Sequence, residues 1–339
     1  MKDIINIPSV YSEEIINDRL SVFRVENGNG KNTFAEDVRY GLTSPPKGLH
    51  PKYFYDAKGS ELFERICKTP EYYVTRTESA ILKESAAEIA AMNSDKKVIV
   101  ELGSGSSLKT RYIISSFINN SGSITYIPID VSDILIESAK NLLNDFEGLN
   151  IKGIISEYEE GLEVVNEVVT EPKIIVFLGS SIGNFTQFEA RELISAISSV
   201  MNENDAFLIG FDLVKDINVL NAAYDDSEGI TAKFNLNLLE RINNELGGNF
   251  DLNKFEHKAF FNETQSRVEM HLVSSEEQDI SIKGIEENVH FDSGETIHTE
   301  NSYKFTDEII DEFASSAGLT VNKRWKDGNN WFELCLMRK

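Results

Sequence analysis

The spacing of apolar residues along this chain changes character twice. Residues 59–69, GSELFERICKT, and 77–92, TESAILKESAAEIAAM, place apolar side chains every three or four positions and predict helices. From Lys96 the pattern becomes short apolar runs alternating with helical ones. KKVIVEL, SITYIPID, NIKGIIS, KIIVFLG and DAFLIGFD predict five strands, while LKTRYIISSFI, SDILIESAKNLL and TQFEARELISAISSVM predict helices between them. Strands separated by helices need right-handed crossovers on a mostly parallel sheet. The alternation stops near Asp216. Helical ITAKFNLNLLERINNEL follows, then the alternating runs SRVEMHLVSS and DISIKGIEE, an α+β pattern. A helix, TDEIIDEFASSAGL, and the runs VNKRWKD and WFELCLMRK predict a closing pair of antiparallel strands. The three prolines of TSPPKGLHPKYFYD (43–56) predict an extended or turning segment, and ENGNGKN (26–32) a loop. The fold class read from this is α/β: a doubly wound domain over residues 77–215 and 305–339, with a second α+β lobe. That lobe comprises an insertion over 216–304 and the N-terminal segment 1–76.

Composition narrows the functions open to such a fold. The chain has 339 residues, 41% hydrophobic and 26% charged, enough apolar material for a sizeable core. Its 56 acidic and 33 basic residues give a formal charge of −23, spread along the sequence. That charge repels nucleic-acid backbones and anionic lipid surfaces, so neither is an expected partner. The opening MKDIINIPSVYSEE has no apolar stretch of leader length, and no run approaches the roughly 18 apolar residues of a membrane helix. Cys67 and Cys335 lie far apart and read as buried filler, which with the rest suggests a cytoplasmic protein, compatible with a monomer. The five histidines lack metal-ligand spacing, so no metal is expected, and GSGSS and LGSS lack the G-x-S-x-G elbow of a serine nucleophile.

The stretch VIVELGSGSSLKTR (98–111) carries the first chemistry: a strand, a glycine turn, then a helix. A phosphate loop of Walker type needs glycine directly before its lysine, whereas Leu108 precedes Lys109. A dinucleotide fingerprint needs a third glycine, and Leu108 stands at that position, which weakens the reading. S-adenosylmethionine binds at the same kind of switch-point crevice and presents an amino acid in place of a pyrophosphate. Lys109 suits its carboxylate, and Asp130, ending the next strand in YIPIDVS, suits its ribose hydroxyls. Glu157 beside Tyr158, after the third strand, offers an acceptor for the adenine amino group.

Longer stretches are more particular. PKYFYDAKGSELFERI, PEYYVTRTE, VELGSGSSLKTR, VFLGSSIGNF, DLVKD, AYDDSEGITAKFNLNLLERIN, RVEMHL and TENSYKF run from about residue 38 to the C-terminus. In these the chain resembles the ergothioneine-pathway histidine Nα-methyltransferases, S-adenosylmethionine-dependent enzymes that trimethylate the α-amino group of L-histidine to hercynine. The wider family includes fungal relatives acting on tryptophan-derived amines. The resemblance implies a Rossmann-like class I methyltransferase domain with a separate substrate lobe. It implies cofactor contacts at Tyr55, Gly103, Lys109 and Asp130, and places Glu157 and Tyr158 where the family commonly has aspartate and phenylalanine. For the substrate, Asn184 and Tyr224 match residues that hold the carboxylate and amine. Tyr72 and the backbone of Gly179 match positions near the amine, and Phe63 matches an aromatic wall. Glu300 and Ser302 match the pair that bonds the imidazole, with Met270 beside it. Asn184, Tyr224 and Tyr72 are the expected catalytic residues.

The residue types make chemical sense together. An imidazole offers N–H hydrogens, so a buried carboxylate with a neighbouring hydroxyl complements it. A larger indole would favour small apolar residues where Glu300 and Met270 stand. The rival readings are a relative acting on another aromatic amino acid or amine and a non-catalytic module that binds the cofactor. A module of that kind would need no amino-acid pocket.

Overall fold

A computed structural model describes residues 11–25, 33–105 and 107–339. The loop predicted over 26–32 lies outside the described residues, as does Ser106 of the glycine turn. Two strands, β1 (Tyr11–Asn17) and β2 (Leu20–Val25), pair antiparallel. They are followed by α1 (Phe34–Thr43), a single 3-10 turn at Pro51–Phe54, α2 (Ala57–Ile66) and α3 (Val74–Met92). Side chains start these helices: Thr33 and Glu36 form a reciprocal capping box on α1, and Asp56 accepts from the Gly59 amide at 2.6 Å on α2.

The predicted alternation then follows. It runs β3 (Val98–Leu102), α4 (Thr110–Ser121), β4 (Ile124–Asp130), α5 (Ile134–Asp145), β5 (Leu149–Ile155), α6 (Tyr158–Val168), β6 (Lys173–Phe177), α7 (Gln187–Ser199) and β7 (Ala206–Asp212). Next come α8 (Ile217–Tyr224), α9 (Ile230–Leu246), β8 (Phe255–Asn262), β9 (Arg267–Ser274), β10 (Gln278–Ile282), β11 (Glu287–Phe291) and β12 (Thr296–Tyr303). α10 (Asp307–Ser316), β13 (Thr320–Lys326) and β14 (Phe332–Arg338) close the chain.

The main sheet has nine strands in the order β1-β2-β5-β4-β3-β6-β7-β14-β13. From β2 to β7 neighbours are parallel, and β14 joins antiparallel to β7. The direction of winding reverses at β3, flanked by β4 and β6, which opens a crevice at the carboxyl ends of those strands. This is the Rossmann-like arrangement that the methyltransferase resemblance implies. β3, β6 and β7 are buried along their whole length, which explains their unbroken apolar runs: helices cover both faces. Ile99 packs into one core cluster while Val98 and Val100 pack into another on the opposite face. No helix among the described residues is long and apolar enough to cross a membrane.

The N-terminal segment, expected in the substrate lobe, instead begins in the main sheet: β2 pairs with β5 from Leu20 opposite Ile151 to Arg24 opposite Ile155. Leu20, Val22 and Phe23 are buried, so this strand covers an edge of β5 that would otherwise present unpaired backbone groups. Residues 33–50 do lie against the inserted strands: Leu49 N donates to the His298 carbonyl at 2.8 Å, and His298 N to that of Lys47 at 3.0 Å.

The insertion forms a three-stranded antiparallel sheet, β12-β9-β8, and a hairpin, β10-β11. α9 supports it from the side of α2, with Phe234 stacked on Phe54 at 4.4 Å and Asn237 donating to Asp56 at 2.9 Å.

Candidate active site

At the end of β3 the backbone turns through Gly103 and Gly105, at φ +66° and +46°, values that favour glycine. Gly103 N donates to the Ile129 carbonyl at 2.9 Å, and Gly105 N to Asp130 Oδ2 at 3.0 Å. Asp130 thus sits against the turn, with its other oxygen accepting from Ser132 N at 3.0 Å. Burial raises its carboxyl above the usual range in spite of these amide donors. A Cβ added to Gly105 would meet no atom within 4 Å, whereas one on Gly103 would lie 2.7 Å from the Tyr158 hydroxyl. Tyr158 therefore lies over the turn, its ring 5.5 Å from that of Phe177. Ser104 Oγ is buried with no hydrogen-bond partner among the described residues. Open space, a carboxylate with unused lone pairs and an unpartnered hydroxyl fit a polar nucleoside ligand here. Below the turn, Thr110 and Tyr126 donate to the buried Glu101, whose carboxyl desolvation pushes up to about 7, and Ser107 bonds Tyr126 at 3.0 Å.

Lys109 does not stand free. It pairs with Glu78 of α3, whose side chain is fully buried. Both Glu78 oxygens also accept from Gly179 N, at 2.8 and 2.9 Å. Gly179 has φ +83°, and a Cβ there would come 3.2 Å from Lys109 Nζ. One acid thus joins the residue expected on the cofactor side to the one expected beside the substrate amine. Glu78 ends the stretch PEYYVTRTE, which assigns it no role. Its signal was an acid on the apolar stripe of α3, four residues after Val74 and three before Ile81.

Aromatic rings continue from this node. Tyr55 meets Phe63 at 5.6 Å, Phe63 meets Tyr72 at 6.2 Å, and Tyr72 meets Tyr224 at 6.2 Å. Tyr55 is 38% exposed, yet burial, followed by the negative potential of Glu300, holds its phenol well above the ordinary value. A side chain lining a concavity combines these properties. Glu300 resembles it, half-buried with its carboxyl pushed up to about 7 by desolvation against the opposing charge of Lys304. Its carboxylate bonds no described residue.

β12 pairs Glu300 with Met270 across β9, where the register shifts between His298 and Glu300. Met270 is 2% exposed and packs in the core. Two residues after Glu300, Ser302 accepts from the Tyr224 hydroxyl at 2.6 Å. Lys304 Nζ donates to both, at 2.8 Å to Ser302 and 3.0 Å to Tyr224, and pairs with Asp212 at 2.8 Å. Tyr73 and Lys215 also donate to Asp212, and although burial opposes it, Lys304 and then Lys215 hold its carboxyl below the usual carboxylate range. Neither Lys304 nor Asp212 was singled out from the sequence. DLVKD and TENSYKF contained them, but their contact is made only by the fold.

Asn184 ends a 3-10 turn, Ser181–Asn184, that packs on β12: a Cβ on Gly183 would lie 2.9 Å from the Tyr303 carbonyl oxygen. Asn184 does not cap the next helix, since Thr186 and Glu189 form that capping box. Its amide bonds no described residue and is available to a ligand. Glu157 is the outlier of the expected set. It stands at the start of α6 without capping it and lies 3.4 Å from Lys52, with 37% of its side chain exposed.

Two further groupings include none of the expected site residues. Cross-strand pairing brings His271, His298 and Glu269 together with ligand atoms within 4.8 Å, which spacing along the chain had not suggested. Glu269 there already holds Arg267 at 2.8 Å and Asn262 at 2.9 Å, and burial depresses both histidines. A depression of about 340 Å³ is lined by Glu71, Tyr73, Arg76 and Trp331 among others, and by none of the expected site residues.

Comparison with known proteins gives the family. Residues 34–339 match the family described as histidine-specific, S-adenosylmethionine-dependent methyltransferase. The chain is 41% identical over 302 residues to a histidine N-alpha-methyltransferase of Mycolicibacterium smegmatis, covering 88% of this chain and 93% of that protein. It is 39% identical to the enzyme of the same name from Mycobacterium tuberculosis, covering 89% and 94%. Ergothioneine biosynthesis protein 1 of Neurospora crassa is 29% identical over 84% of this chain and 32% of its own length.

Proposed function

This chain belongs to the S-adenosylmethionine-dependent, histidine-specific methyltransferases, and from that premise we infer that it methylates the α-amino nitrogen of L-histidine, three times in succession, to give the betaine hercynine. One chain of contacts carries the reading: Glu78 ties the lysine of the glycine turn to Gly179, and the adjacent Ser180 hydroxyl accepts from Asp212 N, whose carboxylate pairs with the Lys304 that donates to Ser302. Donor and acceptor sites therefore share one crevice.

S-adenosylmethionine supplies, when bound, a methyl group on an electrophilic sulfonium. The Gly103–Gly105 turn seats its nucleoside, Asp130 accepts from the ribose, and Glu157 and Tyr158 flank the adenine. Tyr55 and Lys109 hold the amino-acid end. On the acceptor side Glu300 takes the ring N–H, Ser302 bonds the second ring nitrogen and Met270 packs beside the ring. Asn184 and Tyr224 hold the carboxylate and amine, with Tyr72 and the Gly179 backbone beside the amine and Phe63 as a wall.

What the protein contributes is chiefly alignment, worth up to about 7–11 kcal/mol in favourable cases. Tyr72 is not the base: burial raises its phenol well above the ordinary value, so it keeps its proton at neutral pH. Water and partial desolvation free the amine of its proton. As methyl groups accumulate, the faces of Tyr72 and Phe63 stabilise the quaternary ammonium, at about 0.5–2 kcal/mol each. The enzyme acts on a free amino acid in the cytoplasm, where its two unpaired cysteines remain reduced.

The test is a competition. With labelled S-adenosylmethionine and equal concentrations of histidine and tryptophan, mass spectra should show label on histidine, reaching three methyl groups. Preferential labelling of tryptophan would refute the assignment.

A further inference from the structure

We propose that Lys304 is a positioning residue that fixes the hydroxyl hydrogens of Tyr224 and Ser302, so that Ser302 presents a single O–H donor to an unprotonated nitrogen of the substrate ring. The inference rests on the reading of Glu300 and Ser302 as the ring-binding pair.

An ammonium group has three hydrogens and no acceptor. Those of Lys304 meet three oxygens, Asp212 Oδ2 at 2.8 Å, Ser302 Oγ at 2.8 Å and the Tyr224 hydroxyl at 3.0 Å. None is left over. The side chain is fully buried and its backbone is clamped, with its amide donating to the Ser266 carbonyl at 2.8 Å and Ser266 Oγ donating back at 3.0 Å. Both hydroxyl oxygens must therefore accept from Lys304.

The two oxygens lie 2.6 Å apart, so one hydrogen is shared between them. The phenol is the stronger acid and donates, and the serine oxygen accepts. Ser302 Oγ then has both lone pairs filled, and its own hydrogen has no acceptor among the described residues. Glu300 lies two residues back on the same strand, hence on the same face, and offers only acceptor oxygens if ionised. An acceptor and a donor side by side suit a ring with one N–H and one bare nitrogen. Neutral imidazole is such a ring. Imidazolium or pyrrole would leave the Ser302 hydrogen unpaired. Tyr224, its hydrogen spent, reaches the amino acid through a lone pair and so favours the α-amine over the carboxylate.

The test uses the full-length enzyme with histidine and with an amino acid bearing a pyrrole, which keeps the ring N–H and lacks the bare nitrogen. Wild-type kcat/KM for the pyrrole should fall about tenfold or more below that for histidine, as for a buried donor left unpaired. Lys304→Met should raise the histidine KM about tenfold, bring the ratio toward one and leave the S-adenosylmethionine KM unchanged. Lys304→Gln, which keeps N–H donors, should restore part of the ratio. A wild-type enzyme that uses pyrrole as well as histidine overturns the proposal, as does a Lys304→Met enzyme with both KM and ratio intact. If neither Lys304 variant folds, Ser302→Ala decides: the ratio must drop toward one, and an unchanged ratio overturns the proposal. Failure of Glu300→Ala to move the histidine KM would instead remove the ring pocket itself, and both readings with it.

Discussion

Glu300 is held where its charge is costly until a partner arrives. Its free acid releases a proton near 4.5 in an unfolded chain but near 7 in the folded one. Between those values the folded state binds more protons, so this group's contribution to stability falls as pH rises from about 4.5 to about 7. Histidine offsets that cost by donating a ring N–H. On the acid side, kcat/KM for histidine should thus depend on three protons: one from Glu300, one from the free substrate imidazole, which titrates near 6.5, and one from the α-ammonium that must become the nucleophile. Glu300→Gln should leave two, lowering the limiting slope of the pH profile by one and raising the histidine KM about tenfold or more. An unchanged slope would mean that Glu300 does not face the substrate. Asp130→Ala addresses the other ligand: the S-adenosylmethionine Kd, measured by calorimetry, should weaken about 10- to 100-fold, the value of a hydrogen bond to a charged group. At this scale the sequence was informative wherever chemistry and position coincide, as in the glycine turn with Asp130. It was silent on Lys304 and Asp212, because a buried ion pair between distant segments has no local signature.

Elements decide whether these side chains meet. The Ser181–Asn184 turn carries Asn184, and β12 carries Glu300 and Ser302; only the bare Gly183 lets them touch. Gly183→Ala puts a methyl 2.9 Å from backbone oxygen, so the turn must move off β12. The histidine KM should rise about tenfold while S-adenosylmethionine affinity stays near wild type. Thr186→Ala, a few residues on, breaks only the capping box of α7. It should lower unfolding free energy by about 1 kcal/mol in a urea titration and leave both KM values alone. The parallel strands were legible because burial on both faces writes unbroken apolar runs. β1 and β2 were not, since an edge hairpin buries only some of its residues and reads as polar and mixed. β8, β11 and β12 are similarly half-buried, and α6 begins among the acids Glu159 and Glu160.

For the whole molecule, the sheet and the inserted strands divide the work. The carboxyl ends of β3, β4 and β5 carry the turn, Asp130 and Glu157, while β12 of the inserted sheet carries an acid and a hydroxyl, Glu300 and Ser302. The formal charge of −23 suits a protein whose ligands are small and individually coordinated. The most direct measurement is a crystal structure of the enzyme with S-adenosylhomocysteine and histidine bound together. The histidine ring should lie between Glu300 and Ser302, its α-nitrogen facing the sulfur across a gap that one methyl group spans. A ring bound elsewhere, or an α-nitrogen turned away from the sulfur, would contradict the account.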